Sequence, residues 1–128
     1  MKNKIALVTG ASSGIGEATA ALLARSGYTV YGTSRKGAQS EQLPYKMIAL
    51  DVNSEESVEA ALKAVIQAEG RIDLVVNNAG FGVEAGGAEE SSMAQMHKIF
   101  NTNFFGVVRV IRAVLPYMRQ QGQGALLI

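Results

Sequence analysis

The sequence has 128 residues, enough for one domain with a hydrophobic core but too few for two. Hydrophobic residues make up 48% of it, which argues against disorder, and 12 Lys and Arg against 11 Asp and Glu leave no excess charge for nucleic acid or an anionic membrane. There is no cysteine, which excludes disulfides and thiolate metal sites, and the single histidine leaves little scope for zinc. With no stretch that has the layout of a signal peptide or membrane span, we expect a soluble, cytoplasmic protein without a metal site.

The first element is a strand that runs directly into a glycine-rich turn and a helix. The apolar run Ile5–Val8 predicts a strand covered on both faces, and the turn continues as Thr9-Gly10-Ala11-Ser12-Ser13-Gly14-Ile15-Gly16. Glycines allow a ligand close to the backbone, and a helix start offers unpaired N–H groups to an anion. This layout is typical of phosphate binding, although a purely structural glycine turn is the alternative.

The first half of the chain alternates between predicted helices and strands. The first helix is expected from Gly14 to Ser26, with Ile15, Ala18, Leu22 and Leu23 facing the sheet and Gly27 ending it. Strands follow at 29–33, 47–50 and 73–76, and the weak segment 36–45 has room for at most two helical turns. Between the third and fourth strands, Asn53 is predicted as a helix N-cap with Glu56 as its capping-box partner.

The second half contains one long apolar helical region. Residues 81–90 are rich in glycine and are predicted to form a mobile loop. The helical region starts near Ser92 and is interrupted at 101–103 and Gly106, which leaves two helices or one helix with a disturbed turn. Residues 125–128 are predicted as a fifth strand.

Alternating strands and helices indicate one α/β domain over residues 1–128, a three-layer, doubly wound parallel sheet that stops after its fifth strand. Ligands of such sheets lie beyond the carboxyl ends of the strands. Polar segments occur at four of these ends: 10–16, 34–35, 51 and 77–80. We expect them to meet in one cleft.

These segments resemble the short-chain dehydrogenase/reductase family, in its common single-domain subgroup. Thr9–Gly16 matches the T-G-x-x-x-G-I-G motif, Asn77–Gly80 matches N-N-A-G, Asp51-Val52 matches the acidic position near adenine, and Asn103 matches the active-site Asn. The resemblance covers the whole chain and implies a Rossmann-type sheet with strand order 3-2-1-4-5. It also implies a nicotinamide cofactor.

The resemblance implies a role for each matching residue. Those expected to hold the cofactor's pyrophosphate are the motif residues Gly10, Ser12, Ser13, Gly14, Ile15 and Gly16, with Gly14–Gly16 directly beneath it. Asp51 and Val52 would contact the adenine, and Asn78, Ala79 and Gly80 would line the adenosine side. A simple turn after the fourth strand is the alternative for Asn77 and Asn78. Asn103 would hold a water in the active site.

The tip of the second strand bears on the choice of cofactor. A carboxylate there would favour NAD(H) by accepting hydrogen bonds from the ribose 2′-hydroxyl, but the tip reads Thr33-Ser34-Arg35. Arg35 can pair with a 2′-phosphate, and Ser34 and Ser13 can donate further hydrogen bonds. The sequence therefore favours NADP(H) over NAD(H), with a solvated surface charge as the alternative for Arg35.

The family's catalytic Tyr and Lys, spaced as Y-x-x-x-K, have no counterpart in this sequence. None of its four tyrosines has a lysine four positions later, and the family's Ser follows the fifth strand. We interpret the chain as the cofactor-binding front half of an oxidoreductase that acts on a carbonyl or alcohol substrate, and expect it to be inactive alone. The alternative is a non-catalytic dinucleotide-binding or interaction module.

The exposed edge of strand five or the long helix is expected to form homo-oligomers.

Overall fold

The computed structural model describes residues 3–37, 42–80, 89 and 91–128. Its sheet is parallel and contains β1 (Ile5–Val8), β2 (Thr29–Ser34), β3 (Lys46–Ala49), β4 (Leu74–Val76) and β5 (Ala125–Leu127). The order β3-β2-β1-β4-β5 confirms the predicted topology. The predicted loop 81–90 lies outside the described residues, apart from Glu89.

Each face of the sheet has its own core, because successive side chains of a strand point to opposite faces. In β1, Ile5 and Leu7 face a core shared with helices α2 (Glu55–Glu69) and α4 (Gly106–Gln121), whereas Ala6 and Val8 face a core shared with α1 (Gly14–Arg25). The molecule thus has the predicted three layers. All four β1 residues are buried, as expected for a central strand.

The buried face of α1 differs from the prediction. Gly16 and Ala20 are buried and Leu23 packs against the core, but Ile15 is 78% and Leu22 57% exposed. Only Leu23 of the predicted face is right. The prediction assumed that the largest apolar side chains of α1 face the sheet. In the structure α1 lies close to the sheet, and the small residues Gly16 and Ala20 are buried between them.

The N-cap of α2 is also one residue later than predicted. Ser54, in an extended conformation, accepts a hydrogen bond from Ser57 N, so the helix begins at Glu55. Asn53 instead accepts a hydrogen bond from Thr102 Oγ1 at 3.1 Å. The prediction of Asn53 and Glu56 as a capping box was therefore wrong, because two adjacent residues both had suitable side chains.

The long helical region is continuous and carries one irregular turn. Helix α3 (Met93–Phe100) leads into a π-helical turn at Asn101–Phe105, here called the π turn, and then into α4. Ser92 caps α3 in a capping box with Gln95. Of the two alternatives predicted for this region, the single helix with a disturbed turn is confirmed.

Candidate functional site

A cleft of about 520 Å³ lies at the carboxyl ends of β1 to β4. The loops after these four strands and one side of the long helical region form its walls. The residues that line it are Gly10, Ser12, Ser13, Thr33, Ser34, Arg35, Leu50, Asp51, Val52, Asn53, Asn78, Ala79, Gly80, Lys98 and Thr102. All four predicted strand-end segments contribute to it. Gly14, Ile15, Gly16 and Asn103, also predicted as site residues, are not among the lining residues.

The glycine-rich turn is held in place by its neighbours on both sides. Ala11 N donates to Thr33 O at 2.9 Å, and Ala11 O accepts from the hydroxyl of Tyr45 at 3.1 Å. Burial, followed by the nearby charge of Glu17, raises the pKa of Tyr45, so this hydroxyl stays protonated and can donate. The turn is therefore a fixed part of the cleft wall.

Two glycines are required for close packing of this turn. A Cβ at Gly16 would lie 2.0 Å from Gly10 O and 2.4 Å from Asn78 Nδ2, and one at Gly10 would lie 2.9 Å from Ala79 Cα. Gly10 also has a φ of +65°, a conformation that side chains rarely adopt. These contacts press the glycine-rich turn against the loop after β4.

The N-terminus of α1 remains open beside the cleft. Its N-cap, Ser13, is extended and its side chain makes no capping hydrogen bond, unlike the serines that cap α2 and α3. At Gly14, with φ of +59°, a Cβ would find no atom of the described residues within 4 Å. Free N–H groups at a helix start, with open space above them, suit a phosphate group.

The tip of β2 forms a tight turn that presents Arg35 to the cleft. Gly37 N donates to Ser34 O at 3.2 Å and to Ser34 Oγ at 3.1 Å, which closes the turn around Arg35 and Lys36. The Ser34 hydroxyl thus helps to hold the turn, and its donation to a ligand stays a prediction. Arg35 is exposed and lines the cleft.

The loop after β3 is also ordered by internal hydrogen bonds. Asp51 Oδ1 accepts from Asn53 N at 2.9 Å, and Asp51 N donates to Ser57 Oγ at 2.8 Å. The carboxylate is therefore tied to its own loop on one side, while the residue still lines the cleft.

The Asn77–Gly80 loop is bound to the glycine-rich turn through Thr9. The buried hydroxyl of Thr9 accepts from Asn78 N at 3.0 Å and from Ala79 N at 2.9 Å. The side chain of Asn78 donates from Nδ2 to Gly10 O at 3.1 Å. These hydrogen bonds join the two loops into one wall of the cleft, and they give Asn78 a stabilising role between the loops.

Asn103 lies in the π turn, next to the end of the β4 loop. A Cβ at Gly80 would lie 2.7 Å from Asn103 Oδ1, so the glycine permits this close approach. Asn103 is exposed. The structure thus brings the predicted active-site Asn beside Gly80, which lines the cleft.

Five lining residues were not predicted from the sequence: Thr33, Leu50, Asn53, Lys98 and Thr102. Lys98 and Thr102 are four residues apart on the helical region, so they share one face. The predicted position of Asn103 could have indicated both residues. Thr102 is its neighbour in the chain and Lys98 lies one helical turn before Thr102, so both had to lie close to the cleft.

A strand, a glycine-rich turn and a helix at the carboxyl edge of a parallel sheet are the arrangement of the doubly wound α/β class, whose members commonly bind nucleotides at that edge. The family model described as short chain dehydrogenase matches residues 4–128. The chain belongs to this family.

Known relatives are about twice as long. The chain is 42% identical over 127 residues to a 3-ketodihydrosphingosine reductase of Bacteroides thetaiotaomicron, a match that covers 99% of this chain and 46% of the relative. Overall, the chain spans about half the length of the curated relatives it matches.

Two similar solved structures contain different cofactors. A 3-ketoacyl-(acyl-carrier-protein) reductase of Brucella melitensis complexed with NADH has a TM-score of 0.87 at 31% identity, with 94% of this chain and 52% of that chain covered. ElxO with NADP bound has a TM-score of 0.88 at 28% identity, with coverages of 98% and 54%. The family therefore uses NAD(P), and these neighbours establish no preference between the two cofactors.

The described residues fit a dinucleotide cofactor. The open N-terminus of α1 suits its pyrophosphate, and Ser13, the N-cap of that helix, lines the same cleft as Arg35 and Val52. As to membranes, no helix within residues 3–37, 42–80 and 91–128 is long and apolar enough to span one.

Proposed function

We propose that this chain is the cofactor-binding part of an NADP(H)-dependent short-chain oxidoreductase whose full-length parent acts on a carbonyl or alcohol. The observation that carries the proposal is the shared cleft, which has an open helix N-terminus on one wall and Arg35 at the tip of β2 on another. The bound cofactor supplies the hydride chemistry. The chain's own residues bind and orient that cofactor.

The preference for NADP(H) rests on charge at the tip of β2. Thr33, Ser34 and Arg35 all line the cleft there, and none is a carboxylate that would repel a phosphate. The turn closed by Ser34 and Gly37 fixes the backbone of Arg35, so less conformational freedom is lost when its guanidinium pairs with a 2′-phosphate.

The chain alone is expected to bind cofactor without turning over substrate. A phenol with a pKa near 10 is a poor base at neutral pH unless a cation lies nearby, and no tyrosine of this sequence has the lysine that the family's Y-x-x-x-K supplies. By resemblance, the parent provides the Ser, Tyr and Lys after β5. Asn103 would then hold a water beside them.

Calorimetric titration of the chain with NADPH and NADH tests the cofactor preference. We expect NADPH to bind more tightly and Arg35→Ala to lose about 10- to 100-fold in NADPH affinity, since a hydrogen bond to a charged group contributes about 1.5–3 kcal/mol. NADH affinity should change little. Arg119→Ala removes the same charge from an exposed site in the last turn of α4, outside the cleft, and should leave both affinities unchanged. Equal affinities of the unmodified chain for both cofactors would refute the preference.

A further inference from the structure

Arg109, on the first turns of α4, joins the long helical region to the loop after β3. Its Nη1 donates to Val52 O at 3.0 Å and to Asn101 O at 3.2 Å, and its Nη2 donates to Asn101 Oδ1 at 2.7 Å. All three acceptors are neutral oxygens. Within the part of the chain that the structure describes, the only ion pair joins Arg71 and Asp73, so the guanidinium of Arg109 is used for hydrogen bonding to this loop and turn.

Asn101 is the residue at which the π turn begins. Its carbonyl accepts the i to i+5 hydrogen bond from Gly106 N that closes the turn, and Arg109 donates to the same oxygen. A π turn carries one more residue than an α-helical turn and is less favourable, and such turns are frequent at functional sites. Arg109 therefore adds a charged donor where the regular helical hydrogen bonding is disturbed.

The π turn and the β3 loop also touch at two further points. Gly106 approaches Val52 so closely that a Cβ there would lie 2.8 Å from Val52 Cγ2. Thr102 Oγ1 donates to Asn53 Oδ1 at 3.1 Å. Val52, Asn53 and Thr102 all line the cleft, so the spacing between turn and loop sets the width of this part of the cleft.

We propose that Arg109 is a positioning residue that fixes the π turn against the β3 loop and thereby places Thr102 in the wall of the cleft and Asn103 beside Gly80. It does not line the cleft itself and acts through Asn101 and Val52. The consequence for cofactor binding rests on the proposed function. The consequence for the π turn does not.

Amide hydrogen exchange on the 128-residue chain, followed by NMR, tests the local claim. In Arg109→Gln we expect the Gly106 amide to exchange about tenfold faster or more, because the turn opens without the guanidinium, while the β1 amides and the melting temperature change little. Arg112→Gln is the matched control, an exposed arginine three positions later on the same helix, and should exchange like the unmodified chain. Unchanged exchange at Gly106, or an equal acceleration in β1, would overturn the proposal.

NADPH titration of the same variants tests the link to the cleft. We expect Arg109→Gln to weaken NADPH binding at least about fivefold and Arg112→Gln to leave it unchanged. Arg109→Lys keeps the charge but lacks the planar fork that reaches several acceptors, so it should be intermediate in both measurements. If Arg109→Gln does not fold, Arg109→Lys serves as the test variant. Gly106 exchange and NADPH affinity of Arg109→Lys identical to those of the unmodified chain would then overturn the proposal. If the unmodified chain binds no NADPH, the proposed function fails, and hydrogen exchange still tests Arg109.

Discussion

At the scale of single residues, the cleft depends on positions where no side chain fits. Gly16 is not among the residues that line the cleft, yet its missing side chain allows the glycine-rich turn and Asn78 to meet. The sequence motif indicated a phosphate site. It did not indicate that one of its glycines serves mainly to join two loops, because that contact is 62 positions away along the chain.

The Gly16→Ala substitution tests this packing. Its methyl group would lie 2.0 Å from Gly10 O, a backbone atom that cannot move aside, so we expect about 2–3 kcal/mol of lost unfolding free energy in urea. Gly14→Ala introduces the same methyl into open space. We expect it to lose only about 1 kcal/mol of unfolding free energy, because the residue must adopt a left-handed backbone conformation. An equal or smaller loss for Gly16→Ala would contradict the packing argument.

Asp73 gives the folded protein a specific dependence on pH. Its carboxylate is buried, which by itself raises the pKa, but hydrogen bonds from Arg71 and from Ile5 N, together with the charge of Arg71, outweigh burial and lower the pKa. The charged form is therefore favoured in the folded state. The resulting stability is present above the unfolded pKa of about 3.9 and is lost as the pH falls below it, through the folded pKa.

We expect Asp73→Asn to lower the unfolding free energy by about 1–3 kcal/mol at pH 7, since it removes a buried, charge-assisted acceptor. The difference from the unmodified protein should shrink as the pH falls below about 4. Urea unfolding at a series of pH values measures it. A difference that stays constant down to pH 2 would show that the Asp73 charge does not contribute.

At the scale of elements, regular features were predictable and close contacts were not. Strand order and the β–α alternation followed from the sequence and its family resemblance, since buried parallel strands are continuous apolar runs. The buried face of α1 could not be predicted in this way, because Gly16 and Ala20 are buried against the sheet whereas Ile15 is exposed. Hydrophobicity alone cannot distinguish an interface that requires small residues from an exposed face.

The cap of α2 provides a test at this scale. Ser54→Ala should cost about 1 kcal/mol of stability, because it removes the acceptor of Ser57 N. Glu56→Ala should change stability by less than about 0.5 kcal/mol, since the capping box predicted for Glu56 is not formed. Thermal or urea unfolding of both variants measures the two losses of stability. A larger loss for Glu56→Ala than for Ser54→Ala would contradict the observed cap and favour the predicted one.

At the scale of the whole molecule, large apolar side chains are exposed on the long helical region and at the edge strand, in addition to those of α1. Phe100, Phe104 and Phe105, on the outer side of the long helical region, are 49–56% exposed. Leu127 and Ile128, at the edge strand, are 57% and 81% exposed. Exposed apolar groups in this number favour association, and an edge strand offers unpaired hydrogen-bonding groups.

We therefore expect the chain to self-associate in sedimentation experiments at high concentration. Phe105→Glu should weaken the association if the helical surface mediates it, and Leu127→Lys should weaken it if the strand edge does. Leu22→Glu, at a comparably exposed site on α1, is the control and should have no effect. A monodisperse monomer at every concentration would contradict the expectation.

The central claim is that the cleft at the carboxyl ends of β1 to β4 binds NADP(H). Titrating NADPH into the isotopically labelled chain, with NMR amide shifts as the readout, tests it most directly. The account predicts saturable shifts at Gly14, Gly16 and Arg35, with NADH requiring higher concentrations for the same shifts. Shifts confined to residues outside the cleft, or none at millimolar NADPH, would contradict it.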